Sequence, residues 1–496
     1  MGVMEPGDGR PARHSASPGP GGMPPGEFRE WGHQLVDWVA GYLENLERYP
    51  VLAEVEPGWV RGGLAAEAPV RGEPMESLLE DFRSVVLPGI THWNHPAFFA
   101  YFAVSGSGPG ILGELLAAAL NVNAMVWKAS PAATELEQVT LDWLRGFLGL
   151  PPGFTGTIND TASISTFHAL AAARERRLPE ARVPGLSGAR PGRVYATPET
   201  HSSILKAVRA LGLGRDGLRV VATGPERGMD PAALARTIDQ DVASGFRPLA
   251  VVATIGTTSV TAVDPVGEIA DVAAAHELWL HVDAAYAGPA AALPRMRRHF
   301  RGWERADSIV INPHKWLFTP IDCSVLYVRD PGALHAAFSL TPAYLETGEE
   351  GVRHNMDLGL ALGHRFRALK LWMVMRYFGQ EGLRAILDHH LGLARLLAGM
   401  VDAAPGWERW RPAPFSLVVL RHSPPGVAVS QRDAANLEIM HRVNAGGTAF
   451  LSHTEIDGEV WLRVAIGNIH TMERHVHSTW AALLEAAEPD ATATSN

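Results

Sequence analysis

The stretch LAVVATIGTTSVTAVDPVGEIADVAAAHELWLHVD (249–283) decides the fold. Its two ends, LAVVAT (249–254) and LWLHVD (278–283), are short apolar runs of strand length. Between them, residues 264–277 carry apolar side chains at helical spacing. Strand, helix and strand in succession make a βαβ unit, and repetition of that unit builds a mostly parallel sheet covered by helices. The rhythm continues on both sides. VYAT (194–197), LRVVAT (218–223), SIVIN (308–312) and CSVLYV (323–328) read as further strands, with another helical segment over 230–243.

Further out, TELEQVTLDWLRGFLGL (134–150) reads as a helix opened by a capping box of Thr134 and Glu137. From Phe28 to Tyr49 large apolar residues (Phe28, Trp31, Leu35, Trp38, Tyr42, Leu46) recur at helical spacing. Such a face needs a large partner surface, either another subunit or the main domain. Residues 1–26 hold 7 Gly and 6 Pro with almost nothing to pack, and read as a disordered tail. After about residue 383 the pattern changes to a helix, FSLVVLR (415–421), a helix near 431–443, EVWLRVAIG (459–467) and a last helix. This is expected to be a separate, smaller α/β domain.

Composition narrows the function. The chain has 496 residues, 46% hydrophobic and 19% charged, with a formal charge of −10. That excludes a wholly disordered chain and argues against a protein that neutralises phosphate backbones, so no nucleic-acid partner is expected. No apolar run approaches the roughly 20 residues that cross a bilayer, and no apolar signal core stands at the N-terminus. No membrane association and a cytoplasmic location are expected. The lone cysteine, Cys323, lies in an apolar strand and reads as packing. Histidine groups such as His92/His95 and His470/His475/His477 lack metal-ligand spacing, and no metal is expected.

Of 43 basic residues only Lys128, Lys206, Lys315 and Lys370 are lysine. Where arginine serves for charge, a surviving lysine is a candidate for chemistry that needs an amine able to lose its proton. Lys370 lies in RFRALKLW (365–372), a basic amphipathic helix, Lys206 in the helix after HSSI, and Lys128 beside Trp127 before a helix entry. Only Lys315 follows a buried strand, SIVINPH, where desolvation lowers an amine pKa. Ligands of parallel sheets sit at the carboxyl ends of strands, which here carry Thr254, Asp283 and Asn312. A strand-end Asp283 is either a cap or a ligand anchor. NDTAS (159–163) opens a helix and is either an anion site or a plain cap by Asp160 and Thr161. His201 in THSS (200–203) is either a hydrogen-bonded cap or a catalytic group. Taken jointly, an anion-binding helix start, a carboxylate, a histidine and a lysine are the parts of a pyridoxal phosphate site.

VDAAYAG (282–288), NPHKW (312–316), THSS (200–203), ASPAATELE (129–137), HPAFFAYF (95–102) and RFRALKLW (365–372) resemble the group II pyridoxal-phosphate decarboxylases, in the aromatic L-amino acid decarboxylase branch. The resemblance runs from about residue 27 to 480. It implies a type I fold: a seven-stranded, mostly parallel large domain, a small C-terminal α/β domain and an N-terminal helical segment, in a homodimer with active sites at the interface. The expected layout is a tail over 1–26, a helical dimerisation segment over 27–106, the cofactor-binding domain over 107–382, the small domain over 383–486 and a tail over 487–496.

The same resemblance implies a carboxy-lyase and assigns roles. Lys315 would hold the cofactor aldehyde as an imine, Asp283 would pair with the pyridine nitrogen, and His201 would stack on the ring opposite Ala285. Ala162 and Ser163 would bind phosphate with Asn312 and His314, and Thr254 would line the cofactor. Tyr344, in TPAYL (341–345), would return a proton to the α-carbon. Related enzymes that release an aldehyde replace that Tyr with Phe or that His with Asn, so an amine product is expected. Phe102, Val104, Asn123, Met125 and Gly363 would face the substrate. Val104 departs from a threonine of the animal enzymes, and Asn123 and Met125 replace bulky apolar residues that a partner subunit would contribute. Gly363 matches the branches that accept indole or catechol rings. Tryptophan, phenylalanine, tyrosine and dihydroxyphenylalanine all remain open as the amino acid substrate. The rival classes are a pyridoxal-phosphate aminotransferase and a non-catalytic cofactor-binding dimer.

Overall fold

The computed structural model describes residues 22–340, 349 and 351–488. Tyr344 lies outside the described residues. The chain divides into two compact units, the first ending at His95 and the second starting at Pro96. In the first unit the expected long helix runs Pro25–Glu44 and stops at Asn45, before a short 3₁₀ turn over Leu46–Arg48. None of its residues is buried, and Phe28, Leu35 and Val36 stand open to solvent. Trp38 stacks on Tyr42 with ring centroids 5.5 Å apart and meets Phe82 edge-on at 5.2 Å, so the aromatic face packs locally.

The second unit is built on a seven-stranded sheet. Its strands are β1 (Thr155–Asn159), β2 (Gly192–Ala196), β3 (Leu218–Val220), β4 (Arg247–Thr254), β5 (Trp279–Asp283), β6 (Ser308–Ile311) and β7 (Ser324–Val328). The spatial order is β1-β7-β6-β5-β4-β2-β3. Strands β3, β2, β4, β5 and β6 are parallel, β7 runs against β6, and β1 runs against β7. The carboxyl ends of β1, β2, β4, β5 and β6 therefore all open on one side. The central strands are buried on both faces, which is why they read as unbroken apolar runs. β1 escapes the sequence reading because TGTIN holds one large apolar residue.

The small sheet, order β10-β11-β9-β8, comprises β8 (Trp407–Arg409), β9 (Leu417–His422), β10 (Ser452–Ile456) and β11 (Glu459–Ala465). The helix Ala368–Ala403 leads toward it and is interrupted at Gly379, whose φ of +62° a residue with a side chain adopts at a cost.

Two sequence expectations are corrected. The helix expected from Thr134 begins at Pro131, where proline suits the first turn, and Thr134 donates its hydroxyl to Ser130 O at 3.0 Å. Glu137 caps nothing and is 2% exposed. Lys370 is fully buried, with Nζ 2.8 Å from Glu114 Oε2, because the helix Gly108–Leu120 packs over it. A Cβ on Gly113 would lie 2.6 Å from Lys370 Cα, so only glycine permits that approach.

Four buried histidines carry a stability consequence. Burial lowers His168 and His281 to about 4 and His314 and His390 to about 3. The folded state therefore binds fewer protons than the unfolded chain below the ordinary histidine value of about 6.5. Their stabilisation is complete above that value and is lost as pH falls from 6.5 toward 4, at up to about 1.4 kcal/mol per pH unit for each histidine. Urea midpoints are expected to be flat between pH 8 and 7 and to fall steeply from pH 6 to 5. A His390→Leu variant would show a shallower fall, and an unchanged slope would refute the assignment.

Candidate active site

The carboxyl ends of β4 and β5 set Thr254 directly beside Asp283 in the parallel ladder. β6 then continues through Asn312 into the single turn Pro313–Trp316, which carries Lys315. The backbone ties these ends together: Asn312 N donates to Ala285 O at 3.0 Å and Lys315 N to Asn312 O at 2.9 Å. Asp283 is 7% exposed, and its Oδ1 accepts from Ala285 N at 3.0 Å. Thr254 is held from behind by Asp264, whose Oδ2 accepts the Thr254 amide at 2.7 Å. Burial pushes the Asp264 carboxyl up to about 6.

Lys315 is half-buried as a residue, with its Nζ 5.6 Å from the centroid of the Phe102 ring. Burial lowers its pKa and the nearby Asp283 charge opposes that shift, leaving it below the ordinary lysine value. Phe102 stacks on Tyr286 at 3.8 Å, and Tyr286 stacks on Trp316 at 5.0 Å. The amine thus stands beside a three-ring apolar wall. Val104, two residues beyond Phe102, is half-buried.

His201 lies after β2 on the turn into the helix Ser203–Ala210. Its Nδ1 accepts the Ser203 amide at 3.2 Å, so the hydrogen-bonded cap of the sequence reading is present. The same bond leaves Nε2 to carry the proton of the neutral ring. His201 is exposed as a residue. Partial desolvation of its ring lowers its pKa, Asp283 raises it, and Lys315 and Lys206 lower it further, for a net decrease.

The helix Ala162–Arg177 starts at the carboxyl end of β1. Its N-cap, Thr161, makes no side-chain bond to the helix amides, and Asp160 accepts the Thr161 amide at 2.6 Å instead. The plain-cap alternative therefore fails, and the first amides, of Ala162 and Ser163, remain for an anion. A chain of polar contacts links this helix start to the lysine turn. Asn159 Nδ2 donates to Ser165 Oγ at 3.1 Å, Ser165 Oγ lies 2.9 Å from Ser324 Oγ, and the next amide, Cys323 N, donates to His314 Nδ1 at 2.8 Å. Cys323 itself is buried, and burial pushes its thiol up to about 12, in keeping with packing.

Two further observations test whether these residues fit a polar, phosphate-bearing ring. Thr254 Oγ1 and Asn312 Oδ1 are buried and without a hydrogen-bond partner among the described residues. Buried polar atoms left without a partner, here at the ends of the strands on either side of β5, are costly unless a ligand satisfies them. Together with the uncapped helix start, Asp283 and Lys315, they match the charge and hydrogen-bonding pattern of pyridoxal phosphate.

Asn123, Met125 and Gly363 gather separately. Asn123 Oδ1 accepts the His364 amide at 2.9 Å, its Nδ2 lies 3.6 Å from Met125 Sδ, and a Cβ on Gly363 would lie 3.8 Å from that amide nitrogen. None of the contacts described joins this group to Lys315. Sequence reading passed over Arg463, although a lone arginine inside the apolar run EVWLRVAIG signals a buried charge with partners. Its guanidinium donates to Ser259 O, Thr258 O, Tyr101 O and Ser452 Oγ and lies 5.4 Å from the Phe102 centroid. Burial lowers its pKa to about 10.

A lysine at the mouth of a mixed seven-stranded sheet, with a strand-end carboxylate and an uncapped helix start on the same side of that sheet, is the layout of a type I pyridoxal-phosphate-dependent enzyme. Residues 57–421 match the pyridoxal-dependent decarboxylase conserved domain. The chain is 39% identical over 482 residues to tryptophan decarboxylase TDC2 of Camptotheca acuminata, covering 94% of this chain and 95% of that one. It is 37% identical over 484 residues to a phenylacetaldehyde synthase of a Rosa hybrid cultivar, covering 94% and 95%. Among solved structures, Oryza sativa TDC with PLP and tryptamine superposes with a TM-score of 0.91 at 38% identity, covering 94% of this chain and 98% of that one. The chain belongs to the pyridoxal-dependent decarboxylase family and is a carboxy-lyase.

Proposed function

We propose that this enzyme decarboxylates an aromatic L-amino acid to the arylalkylamine and CO2. The observation that carries the reading is the desolvated Lys315 amine beside Asp283, Thr254 and Asn312, with an apolar three-ring wall within reach of the amine. Relatives that handle tryptophan or form phenylacetaldehyde support an aromatic substrate.

Pyridoxal phosphate, when bound, supplies a ring that takes up the electron pair left behind by CO2. Lys315 would hold its aldehyde. Asp283 keeps a proton on the ring nitrogen, which deepens the electron sink. Ala162, Ser163 and His314 hold the phosphate, with Asn312 and Thr254 completing the polar lining. His201, held by the Ser203 amide at its Nδ1, would pack against the cofactor ring, as would Ala285. Phe102, with Tyr286 and Trp316 behind it, excludes water from the reacting carboxylate. Tyr344 returns the proton to the α-carbon, and Val104, Asn123, Met125 and Gly363 contact the aromatic ring of the substrate.

The working unit is a homodimer. On the helix Gly108–Leu120, Leu112, Leu115, Leu116 and Leu120 are between 48% and 60% exposed, an apolar face that a second copy would cover. No helix among the described residues is long and apolar enough to cross a membrane. With its single cysteine buried and unpaired, the enzyme suits the reducing cytoplasm.

One experiment tests the reading. Purified enzyme of dimeric mass by light scattering is supplied with pyridoxal phosphate and, separately, tryptophan, phenylalanine, tyrosine and dihydroxyphenylalanine. Amine equal to CO2 is expected from at least one of them. Aldehyde with hydrogen peroxide would move the enzyme to the aldehyde-forming branch, keto acid would make it an aminotransferase, and no turnover would leave a cofactor-binding dimer.

A further inference from the structure

Glu137 stands in the middle of the helix Pro131–Leu148, 2% exposed, where a carboxylate persists only with full satisfaction. It accepts three hydrogen bonds. Ile158 N donates to Oε1 at 3.1 Å, Arg353 Nη2 to Oε1 at 3.3 Å and His364 Nε2 to Oε2 at 2.7 Å. Burial pushes this carboxyl up, but the His364 imidazole, the Arg353 guanidinium and the Ile158 amide outweigh it, and the net is below the ordinary value. Glu137 is therefore a buried anion that organises what surrounds it.

Its partners are anchored differently. Arg353 also donates to Gly156 O at 2.7 Å, so its guanidinium is fixed to β1. Among the described residues the His364 ring has no such tie, and its bond to Glu137 orients it. Its backbone, by contrast, is bound to the group containing Asn123: His364 N donates to Asn123 Oδ1 at 2.9 Å, and Ala124 N donates to His364 O at 2.8 Å. Gly363 precedes it, with room for a Cβ only at 3.8–3.9 Å from the Asn123 amide. The ring of His364 is thus the lever by which a buried carboxylate on one helix fixes the position of Asn123 and Gly363.

We propose that Glu137 is a positioning residue for substrate selectivity, holding the Asn123–Gly363 wall through His364 so that aromatic rings of different size are discriminated. The inference rests on the reading that this wall touches the substrate ring. A carboxylate that served stability alone would, when neutralised, weaken turnover of every substrate in the same proportion. One that sets the wall changes the ratio between substrates.

The test uses the cofactor-loaded enzyme and its Glu137→Gln, His364→Leu, His364→Gln and Asn123→Ala variants. For each, kcat and KM are measured with tryptophan and with tyrosine, alongside the visible absorbance of the bound cofactor and the inhibition constant of tryptamine. Glu137→Gln is expected to change the tryptophan-to-tyrosine ratio of kcat/KM by roughly fivefold or more, chiefly through KM and the tryptamine constant. Absorbance should be unchanged. His364→Leu should reproduce the effect, and His364→Gln, whose amide still donates to Glu137, should keep the ratio within about twofold of the parent. If Glu137→Gln does not fold, the two His364 variants decide the matter. A ratio moved by Asn123→Ala but not by Glu137→Gln or His364→Leu overturns the proposal and leaves the wall assignment standing. A ratio moved by none of them removes the wall assignment and the proposal together.

Discussion

Lys315→Ala is expected to lower decarboxylation by roughly ten-thousand-fold or more, because its amine is the group proposed to hold the cofactor aldehyde. The fold should survive. The substitution removes an amine from a pocket that already disfavours its charge, and the turn is held by backbone bonds that alanine keeps, Lys315 N to Asn312 O and Asn312 N to Ala285 O. The melting temperature should therefore stay within a few degrees of the parent or rise. Borohydride should fix the cofactor to the parent chain at residue 315 and fail to fix it to the variant. The other three lysines offer no substitute. Lys128 and Lys206 are exposed, and Lys370 is held by Glu114. Activity within tenfold of the parent, or a borohydride adduct on another lysine, would refute the assignment.

Asp283→Asn should lower kcat by roughly a hundred- to a thousand-fold, the usual loss when one preorganised electrostatic partner is removed from a buried site. The change is nearly isosteric, and the amide oxygen can still accept from Ala285 N, so local geometry should hold. What disappears is the charge. Asp283 now raises the pKa of both Lys315 and His201 against the effect of burial. Without it both groups fall further, and the ring nitrogen loses the anion that keeps it protonated. KM should change little, while the absorbance of the bound cofactor should shift. Asp283→Glu should restore part of kcat. A kcat within tenfold of the parent in Asp283→Asn would show that the ring nitrogen has another partner.

The chemistry-bearing residues and the supporting ones differ in how far they can be read without the fold. Lys315 and Asp283 each end a buried apolar run, a signal carried by the few residues around them. Glu137 misleads because its local pattern, Thr134 followed three residues later by an acid, is that of a capping box. Its partners lie 21, 216 and 227 residues away. Lys370 reads as one basic residue of an amphipathic helix and proves buried, because the helix carrying Glu114 folds over it. β1 and β10 are missed for a related reason. Both pair by backbone hydrogen bonds, which leave no trace in side-chain type, and neither carries a run of apolar residues.

The sequence by itself determined the parallel βαβ core, two strands of the C-terminal sheet, the lysine and aspartate at the strand ends, and the resemblance to pyridoxal-phosphate decarboxylases. Each of these is written in neighbouring residues, through burial pattern or motif. Tertiary structure left Thr161 without a side-chain bond to the helix amides, gave His201 a bond from the Ser203 amide, left Thr254 and Asn312 with buried polar atoms lacking a partner among the described residues, and joined Glu137 to Arg353 and His364. Those outcomes depend on which distant backbone and side-chain groups are brought within about 3 Å, the reach of a hydrogen bond, and no local pattern encodes that.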